Sequence, residues 1–215
     1  EKTSAMTQLG RYLHVTELLK ARGIEIPIKH CSNSAGIIDL PQANLNCVRA
    51  GITMYGMYPS EEVQKDKVPL KPALGLKSFV TYVKELGPGE EISYGGTYVT
   101  ERTMRIATVA VGYGDGYPRS LSNCGYVLIC GKRARILGRV CMDQLMVDVT
   151  DIMEADVDTP VTLIGKDGDE EITMEHLAEL CGGFHYEMVC DIGKRVPRVY
   201  YRGGKVVGTM DCFAE

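Results

Sequence analysis

The sequence lacks the features that would place it in a membrane or on a secretory route. It contains no tryptophan and only three phenylalanines, so 12 tyrosines supply most of its aromatic side chains. No apolar run approaches the roughly 20 residues that a membrane-spanning helix needs. The amphipathic N-terminal stretch EKTSAMTQLGRYLHVTELLK has no hydrophobic secretory core. We therefore expect a cytoplasmic protein with no membrane partner.

Positive charge is also in short supply. The 24 lysines and arginines are outnumbered by 28 aspartates and glutamates, which gives a formal net charge of -4 and an isoelectric point near 5.7. A surface that binds nucleic acid needs the opposite balance, so no nucleic-acid partner is expected. The 215 residues, 45% of them hydrophobic, are long enough to bury a core of their own.

The eight cysteines contain no C-x-x-C pair, and a chain of this length needs no disulfide staples. Cys47, Cys130, Cys141 and Cys190 lie among apolar neighbours, which predicts free, buried thiols in a reducing compartment. These side chains are therefore expected to pack and not to react.

No metal site is predicted. Cys181, His185 and Cys190 lack a fourth ligand at a sensible spacing. Strand alternation over residues 184–191 would also put His185 and Cys190 on opposite faces.

The N-terminal part of the chain has the pattern of an α/β domain. Residues 4–22 carry apolar side chains at helical spacing, and Gly23 suits the left-handed conformation that ends a helix. Residues 24–30 then read as a short strand, the order found in a β/α barrel. Prolines and charged residues over 61–72 indicate a linker.

After this linker the pattern changes to a mostly-β domain. Residues 173–181 alone are predicted helical there, with Thr173 as N-cap and Gly182 beyond the end. Short runs bounded by turn residues predict strands over residues 78–83, 104–111, 126–129, 135–140, 145–149, 161–164, 184–191 and 195–201.

Two runs near the N-terminus, HCSNSAG at residues 30–36 and VRAGITMYG at residues 48–56, could each end a strand and begin a helix. Each offers small residues and backbone N–H groups at a helix start, where phosphate binds. Arg49 is a permanent planar cation that only donates hydrogen bonds. The runs therefore predict a site for a phosphorylated cofactor, although ordinary strand–helix connections have the same pattern.

Three further runs contain tight turns. In ISYGGTY, Tyr94 precedes two glycines, which let the backbone present the phenol at a loop tip. GYGDGYPR, residues 112–119, lacks the third glycine of a nucleotide loop. GRVCMDQ, residues 138–144, reads as a strand that ends at a polar turn. Cys141 in this run has no neighbouring histidine or acid that would support a nucleophile.

Together these five runs resemble alanine racemases, which use pyridoxal 5'-phosphate, and the resemblance covers nearly the whole chain. It implies that residues 1–60 are a barrel remnant, the last β/α units of a TIM-type, cofactor-binding α/β barrel. Residues 61–72 would then be a linker, and residues 73–215 the β-rich C-terminal racemase domain.

The resemblance also implies which residues bind the cofactor. Ser34, the backbone N–H groups of Gly51 and Ile52, and Tyr186 would hold its phosphate, and Arg49 would donate to its pyridine nitrogen. The run GGFHYE around Tyr186 departs from the family pattern in its glycine and phenylalanine.

On the substrate side, the resemblance makes Tyr94 the acid/base on one face of the amino acid. The backbone N–H of Met142 would hold the substrate carboxylate. Tyr113 and Arg139 would line the substrate entrance, although packing of Tyr113 on Pro118 explains its position equally well.

The activity implied is interconversion of L- and D-alanine, supplying D-alanine for peptidoglycan, by a homodimer with composite active sites. The bulk of Tyr186 favours alanine over serine, although a serine racemase of the same family is the alternative. A non-catalytic oligomerisation or binding β-domain is the alternative of a different class.

The sequence contains no K-A-x-x-Y-G run with the lysine that binds the cofactor. We expect this lysine, the substrate-binding arginine and the histidine behind Arg49 to lie upstream, and the chain to be inactive alone.

Overall fold

The computed structural model describes residues 2–213, which fall into two compact units that divide between Ala73 and Leu74. The first unit contains two α-helices, α1 (Thr3–Ala21) and α2 (Ser34–Asp39), and short 3-10 turns. The predicted first helix is confirmed, and Gly23 ends it with a φ of +77°. The division predicted over residues 1–60, 61–72 and 73–215 stays a prediction.

The strand predicted over residues 24–30 is wrong. Only one residue there forms a strand-like contact, a parallel bridge between His30 and Cys47. The side chain of Asn46 occupies the backbone groups that would otherwise pair with a neighbouring strand. It accepts from the N–H of Lys29 and donates to the carbonyl of Pro27, both at 2.7 Å. A strand needs continuous backbone pairing, and here a side chain replaces it.

The second unit is organised around a closed ring of six antiparallel strands, in the order β1-β4-β7-β6-β5-β8 and back to β1, with β9 added beside β8. Closure leaves no unpaired edge within the ring. The mostly-β prediction is thus confirmed. The strands are β1 (Leu76–Leu86), β2 (Glu91–Ile92), β3 (Tyr98–Val99), β4 (Met104–Val109), β5 (Tyr126–Ile129), β6 (Lys132–Leu137), β7 (Leu145–Asp148), β8 (Pro160–Asp167), β9 (Glu170–Ile172), β10 (Arg198–Arg202) and β11 (Lys205–Met210).

Strand β1 closes the ring because it pairs with two neighbours. Its first part pairs with β8 and its later part with β4, and the register shifts between Val80 and Tyr82. Such a bulge bends a strand and increases its twist, which closure requires. Val80 is fully buried at this bend, and the ring interior is filled by fully buried branched side chains, including Val109, Val127, Ile136, Leu145, Val147 and Leu163.

Helix α3 (Met174–Cys181) confirms the one helix that the sequence predicts in this unit. Residues 184–191 also form a helix, α4 (His185–Asp191), and the predicted strand there is wrong. Its buried residues, His185, Met188 and Val189, follow the i, i+3, i+4 spacing of a helix face. The opposite-face argument made for a metal site therefore does not hold.

All eight cysteines are free, as predicted, but the expectation that they are buried is mostly wrong. Cys141 is buried and Cys47 is half-buried, whereas Cys130 and Cys190 are exposed. Cys130 lies in the two-residue connection between β5 and β6, where it and Gly131 both have positive φ. This is the backbone of a tight hairpin turn, which faces solvent whatever its sequence neighbours are.

We predict that Thr173→Ala destabilises the second unit. The Thr173 hydroxyl accepts the N–H of His176 at 3.1 Å at the start of α3, and losing such a cap costs about 1 kcal/mol. The free energy of unfolding in urea measures this loss. Thr173→Ser keeps the accepting oxygen and should retain most of the stability, so equal losses in both variants would contradict the capping role.

Candidate active site

Tyr94 lies in the hairpin loop, residues 93–97, that connects β2 and β3. Ser93, Gly95 and Gly96 around it all have positive φ, at 66°, 73° and 52°. The left-handed conformation is inexpensive for the two glycines, as the sequence predicts. The resulting tight turn leaves the Tyr94 side chain 73% exposed, so its phenol is accessible to a ligand.

The central turn, residues 138–144, connects β6 to β7. Side chains of a neighbouring loop hold its backbone: the N–H of Gly138 donates to Asn123 Oδ1 at 2.7 Å, and the N–H of Val140 donates to Ser122 Oγ at 3.0 Å. Both ends of the turn continue into strands of the closed ring. The turn is therefore fixed along its length.

The hairpin loop packs directly on the central turn. Ser93 Oγ donates to the carbonyl of Arg139 at 2.7 Å. A Cβ added at Gly138 would lie 2.4 Å from the carbonyl oxygen of Ile92, so the two backbones meet where only glycine fits. The guanidinium of Arg139 lies against Gly95, because a Cβ added there would be 3.6 Å from Arg139 Cζ.

The tyrosine loop, residues 112–117, packs on the same turn. The N–H of Tyr113 donates to the carbonyl of Cys141 at 3.0 Å, and the N–H of Gly114 donates to the carbonyl of Met142 at 2.9 Å. Strands β4 and β7 pair side by side, which brings the loop after β4 to the turn before β7. The pairing thus explains a contact between residues far apart in the sequence.

The second unit therefore brings together Tyr94, Tyr113, Arg139 and Met142, the residues that the sequence assigns to the substrate. The side chains of Tyr94, Met142 and Tyr113 are 73%, 52% and 44% exposed, so a ligand can reach them. Tyr113 is partly exposed, and its packing on Pro118 stays a prediction. Its backbone, which the sequence analysis did not consider, makes the contact to the central turn.

Ser34 occupies the start of α2 in the first unit. Its side chain is buried, and its Oγ accepts the N–H of Gly51 at 3.1 Å and lies 3.2 Å from Thr53 Oγ1. Ile52 begins a 3-10 turn directly after Gly51. The N–H groups at such a start have no partner within the turn, so a hydroxyl and several donors converge at this point.

Arg49 is held by a residue that the sequence analysis missed. Its Nη1 lies 2.6 Å from His30 Nδ1, and its Nη2 donates to the carbonyl of Cys31 at 3.4 Å. A guanidinium only donates, so Nδ1 must be the accepting nitrogen of His30. The expectation that the histidine behind Arg49 lies upstream is therefore wrong. No local signal singled out His30, because its contact with Arg49 depends on the parallel bridge between His30 and Cys47, two residues before Arg49.

Tyr186 lies in the first turn of α4 and not in a strand. Its ring stacks on that of Phe184, with centroids 4.7 Å apart and an interplanar angle of 9°. Burial raises the pKa of the Tyr186 phenol, so the hydroxyl stays protonated and can donate a hydrogen bond. Tyr186 belongs to the second unit, whereas Ser34 belongs to the first.

Within residues 2–213, no cluster of three or more histidine, cysteine, aspartate or glutamate side chains could hold a metal ion. No helix in the same range combines the length and the apolar character that a bilayer crossing requires.

Comparison with known proteins identifies two matching families. Residues 73–200 match the family described as alanine racemase, C-terminal domain, and residues 1–59 match alanine racemase, N-terminal domain. The alanine racemase of Methanococcus maripaludis is 47% identical over 200 residues, which cover 93% of this chain and 53% of that protein. That of Halothermothrix orenii is 48% identical over 200 residues, which cover 93% of this chain and 52% of that protein. The chain thus spans about half the length of these relatives.

Solved structures give the same result. Alanine racemase from Clostridium difficile 630 in complex with cycloserine aligns with a TM-score of 0.93 and 40% identity, covering 100% of this chain and 56% of that one. The Bacillus anthracis alanine racemase with bound L-Ala-P aligns with a TM-score of 0.92 and 40% identity, and the alignment covers 98% of this chain and 54% of that one.

We predict that Gly138→Ala separates the hairpin loop from the central turn. Gly138 and Gly95 share a φ of +73°. A Cβ added at Gly138 would lie 2.4 Å from the Ile92 carbonyl oxygen, whereas a Cβ added at Gly95 would have no neighbouring atom closer than 3.6 Å. Gly95→Ala should cost about 1 kcal/mol for the left-handed backbone alone. Gly138→Ala should cost about 3 kcal/mol or more, because the clash adds to it. Unfolding in urea measures both, and equal losses would contradict the close approach.

Proposed function

The chain belongs to the alanine racemase family, and on this premise we propose that it forms part of a pyridoxal phosphate-dependent enzyme that interconverts L- and D-alanine. The observation that carries the proposal is the convergence of the hairpin loop and the tyrosine loop on the central turn. This convergence gathers an accessible phenol and the backbone amide of Met142 on one unit. A catalytic acid/base and a carboxylate-binding donor need such a fixed arrangement.

The residues of the first unit fit the phosphate of the cofactor. Ser34 Oγ and the N–H of Gly51 lie 3.1 Å apart, and a Cβ added at Gly51 would lie 3.8 Å from that oxygen, in the space beside it. A side chain at position 51 would therefore fill the cradle. Ile52 supplies the next N–H at the start of a turn, which suits an anion.

Pyridoxal phosphate supplies an electron sink that acidifies the α-hydrogen of a bound amino acid. Arg49 would donate to its pyridine nitrogen, and His30 and the carbonyl of Cys31 orient the guanidinium for this task. An arginine cannot give up its proton there, so this nitrogen would stay unprotonated. The weaker electron withdrawal suits a racemase, which must return the proton quickly.

Tyr94 would move the proton on one face of the substrate, and a lysine of the full enzyme would move it on the other. Tyr94 and Met142 are largely exposed on the second unit, which fits residues that complete the site of a partner subunit. We accordingly propose a homodimer with composite active sites.

Alanine is the substrate that we propose, with its D-form destined for peptidoglycan. The ring of Phe184 stacks on Tyr186, which supports a fixed position for this bulky side chain and thus a substrate side chain as small as a methyl group. These 215 residues contain no K-A-x-x-Y-G run, and we propose that they do not racemise alanine alone.

The experiment that tests the function uses a chimera. The N-terminal part of the Clostridium difficile alanine racemase, which this chain does not cover, is placed before residue 1. We expect the chimera to racemise alanine faster than serine, and the 215-residue chain to racemise neither. An inactive but folded chimera would argue for a non-catalytic module.

In this chimera, we predict that Tyr94→Phe lowers the rate of alanine interconversion at least about a hundredfold, because an acid/base group commonly contributes that much. A chiral assay of D- and L-alanine measures the rate. Tyr82→Phe is the matched control, since Tyr82 on strand β1 is also an exposed tyrosine. Its exposed fraction is 56%, and that of Tyr94 is 73%. Full activity of Tyr94→Phe would refute the assignment.

We predict that Ser34→Ala weakens cofactor binding by the chimera about tenfold, because it removes a phosphate hydrogen bond and the hydroxyl that orients the N–H of Gly51. The dissociation constant, followed by cofactor fluorescence, measures this change. Pyridoxal without phosphate is the control ligand, and its affinity should not change. A similar loss for both ligands would show a general disturbance of the first unit instead.

A further inference from the structure

Arg195 joins two carboxylates that flank the proposed substrate-binding amide. Its Nε lies 2.8 Å from Asp115 Oδ1, and its Nη2 lies 2.6 Å from Asp143 Oδ1. Asp115 belongs to the tyrosine loop, whereas Asp143 belongs to the central turn and directly follows Met142. One guanidinium therefore links the two segments whose contact builds this part of the site.

Asp115 transmits this link to the backbone of the tyrosine loop. Its second oxygen, Oδ2, accepts the N–H of Gly112 at 2.9 Å, and its carbonyl accepts the N–H of Gly193 at 3.0 Å. Gly193 lies two residues before Arg195, so the segment that carries the guanidinium is bonded to the same loop. The Asp115 side chain is only 15% exposed, which strengthens its charge-assisted hydrogen bonds.

The guanidinium also lies beside the junction between the two segments. A Cβ added at Gly114 would lie 2.9 Å from Arg195 Nη1 and 3.0 Å from the carbonyl oxygen of Met142. The arginine therefore lies close to the hydrogen bond that Gly114 donates to Met142.

The peptide group between Cys141 and Met142 connects these contacts to the substrate. A peptide group is planar, and its C=O and N–H point in opposite directions. Tyr113 donates to the Cys141 carbonyl at 3.0 Å, so this bond sets the direction in which the N–H of Met142 points. It also polarises the peptide and strengthens the donor on its far side.

We propose that Arg195 is a positioning residue for the substrate carboxylate. By holding Asp115 to Asp143, it keeps the tyrosine loop against the central turn and keeps the Met142 N–H aimed at the ligand. The inference rests on the proposed function for the identity of that ligand as an amino-acid carboxylate.

Direct attraction of the substrate by the Arg195 charge is the competing explanation, and one variant separates the two. The guanidinium and its two carboxylates have a formal sum of one negative charge. Asp115→Asn removes that charge, so attraction predicts a lower KM for alanine. Positioning predicts a higher KM, because Arg195 loses a charged partner that anchors the loop.

Amide hydrogen exchange on the 215-residue chain tests the restraint without any cofactor. In Arg195→Met, we expect the amides of Tyr113 and Gly114 to exchange about tenfold faster, while those of strand β5 keep their protection. Arg133→Met is the matched control, because Arg133 Nε lies 2.7 Å from Glu170 Oε2 in a partly exposed pair that links β6 to β9 and not the tyrosine loop to the central turn. Unchanged exchange at Tyr113 and Gly114 in Arg195→Met would overturn the proposal.

Arg195→Lys provides a second variant should the methionine variant fail to fold. A lysine keeps the charge but replaces the fork that reaches two carboxylates by one ammonium. Intermediate exchange at the two amides is expected, and exchange equal to that of the unmodified chain would overturn the proposal.

Kinetics of the chimera link the restraint to the substrate. Arg195→Met should raise KM for alanine about tenfold with a change in kcat of no more than about twofold, the signature of lost binding. Faster exchange with an unchanged KM would overturn the positioning role. An inactive unmodified chimera would instead defeat the proposed function, and the exchange measurement would still decide whether Arg195 holds the loop.

Discussion

The arrangement of the second unit depends on the approach of two loops to the backbone of one turn. Residues 138–144 accept hydrogen bonds from the loops that carry Tyr94 and Tyr113, and Gly138 permits contact with the Ile92 carbonyl at a distance that a Cβ would prevent. Because these contacts involve the main chain, the positions of the two tyrosines are set by backbone geometry. Their rings remain exposed and accessible to a ligand.

The closed ring of strands provides the support that this turn needs. The turn connects β6 to β7, and β7 also pairs with β4, the strand before the loop of Tyr113. A ring has no edge strand that can fray, and its interior is filled by fully buried branched side chains. Loops on such a frame can be both exposed and well positioned, which is the usual basis of functional loops.

The sequence could predict the elements that obey a local rule. Thr173 and Gly182 delimit α3 by ordinary capping, and the strands of the ring follow from short runs between turn residues. The strand prediction for residues 184–191 is wrong because a short run of this kind fits both the two-residue period of a strand and the 3.6-residue period of a helix. Only the burial of His185, Met188 and Val189 shows that the helical period applies. The strand prediction for residues 24–30 is wrong for another reason. The Asn46 side chain replaces the backbone pairing that a strand requires.

Local motifs indicated candidate residues but not the backbone contacts that position them. Motifs drew attention to Tyr94, Arg49 and Met142, whereas His30 was overlooked because its partner lies 19 residues away across a parallel bridge. Such a partner is set by tertiary pairing, which no local pattern encodes. The same reasoning applies to Tyr113, whose ring attracted the functional interpretation although its N–H makes the contact that orients the neighbouring peptide. In a site built on main-chain donors, a residue can be essential for its amide while its side chain is replaceable.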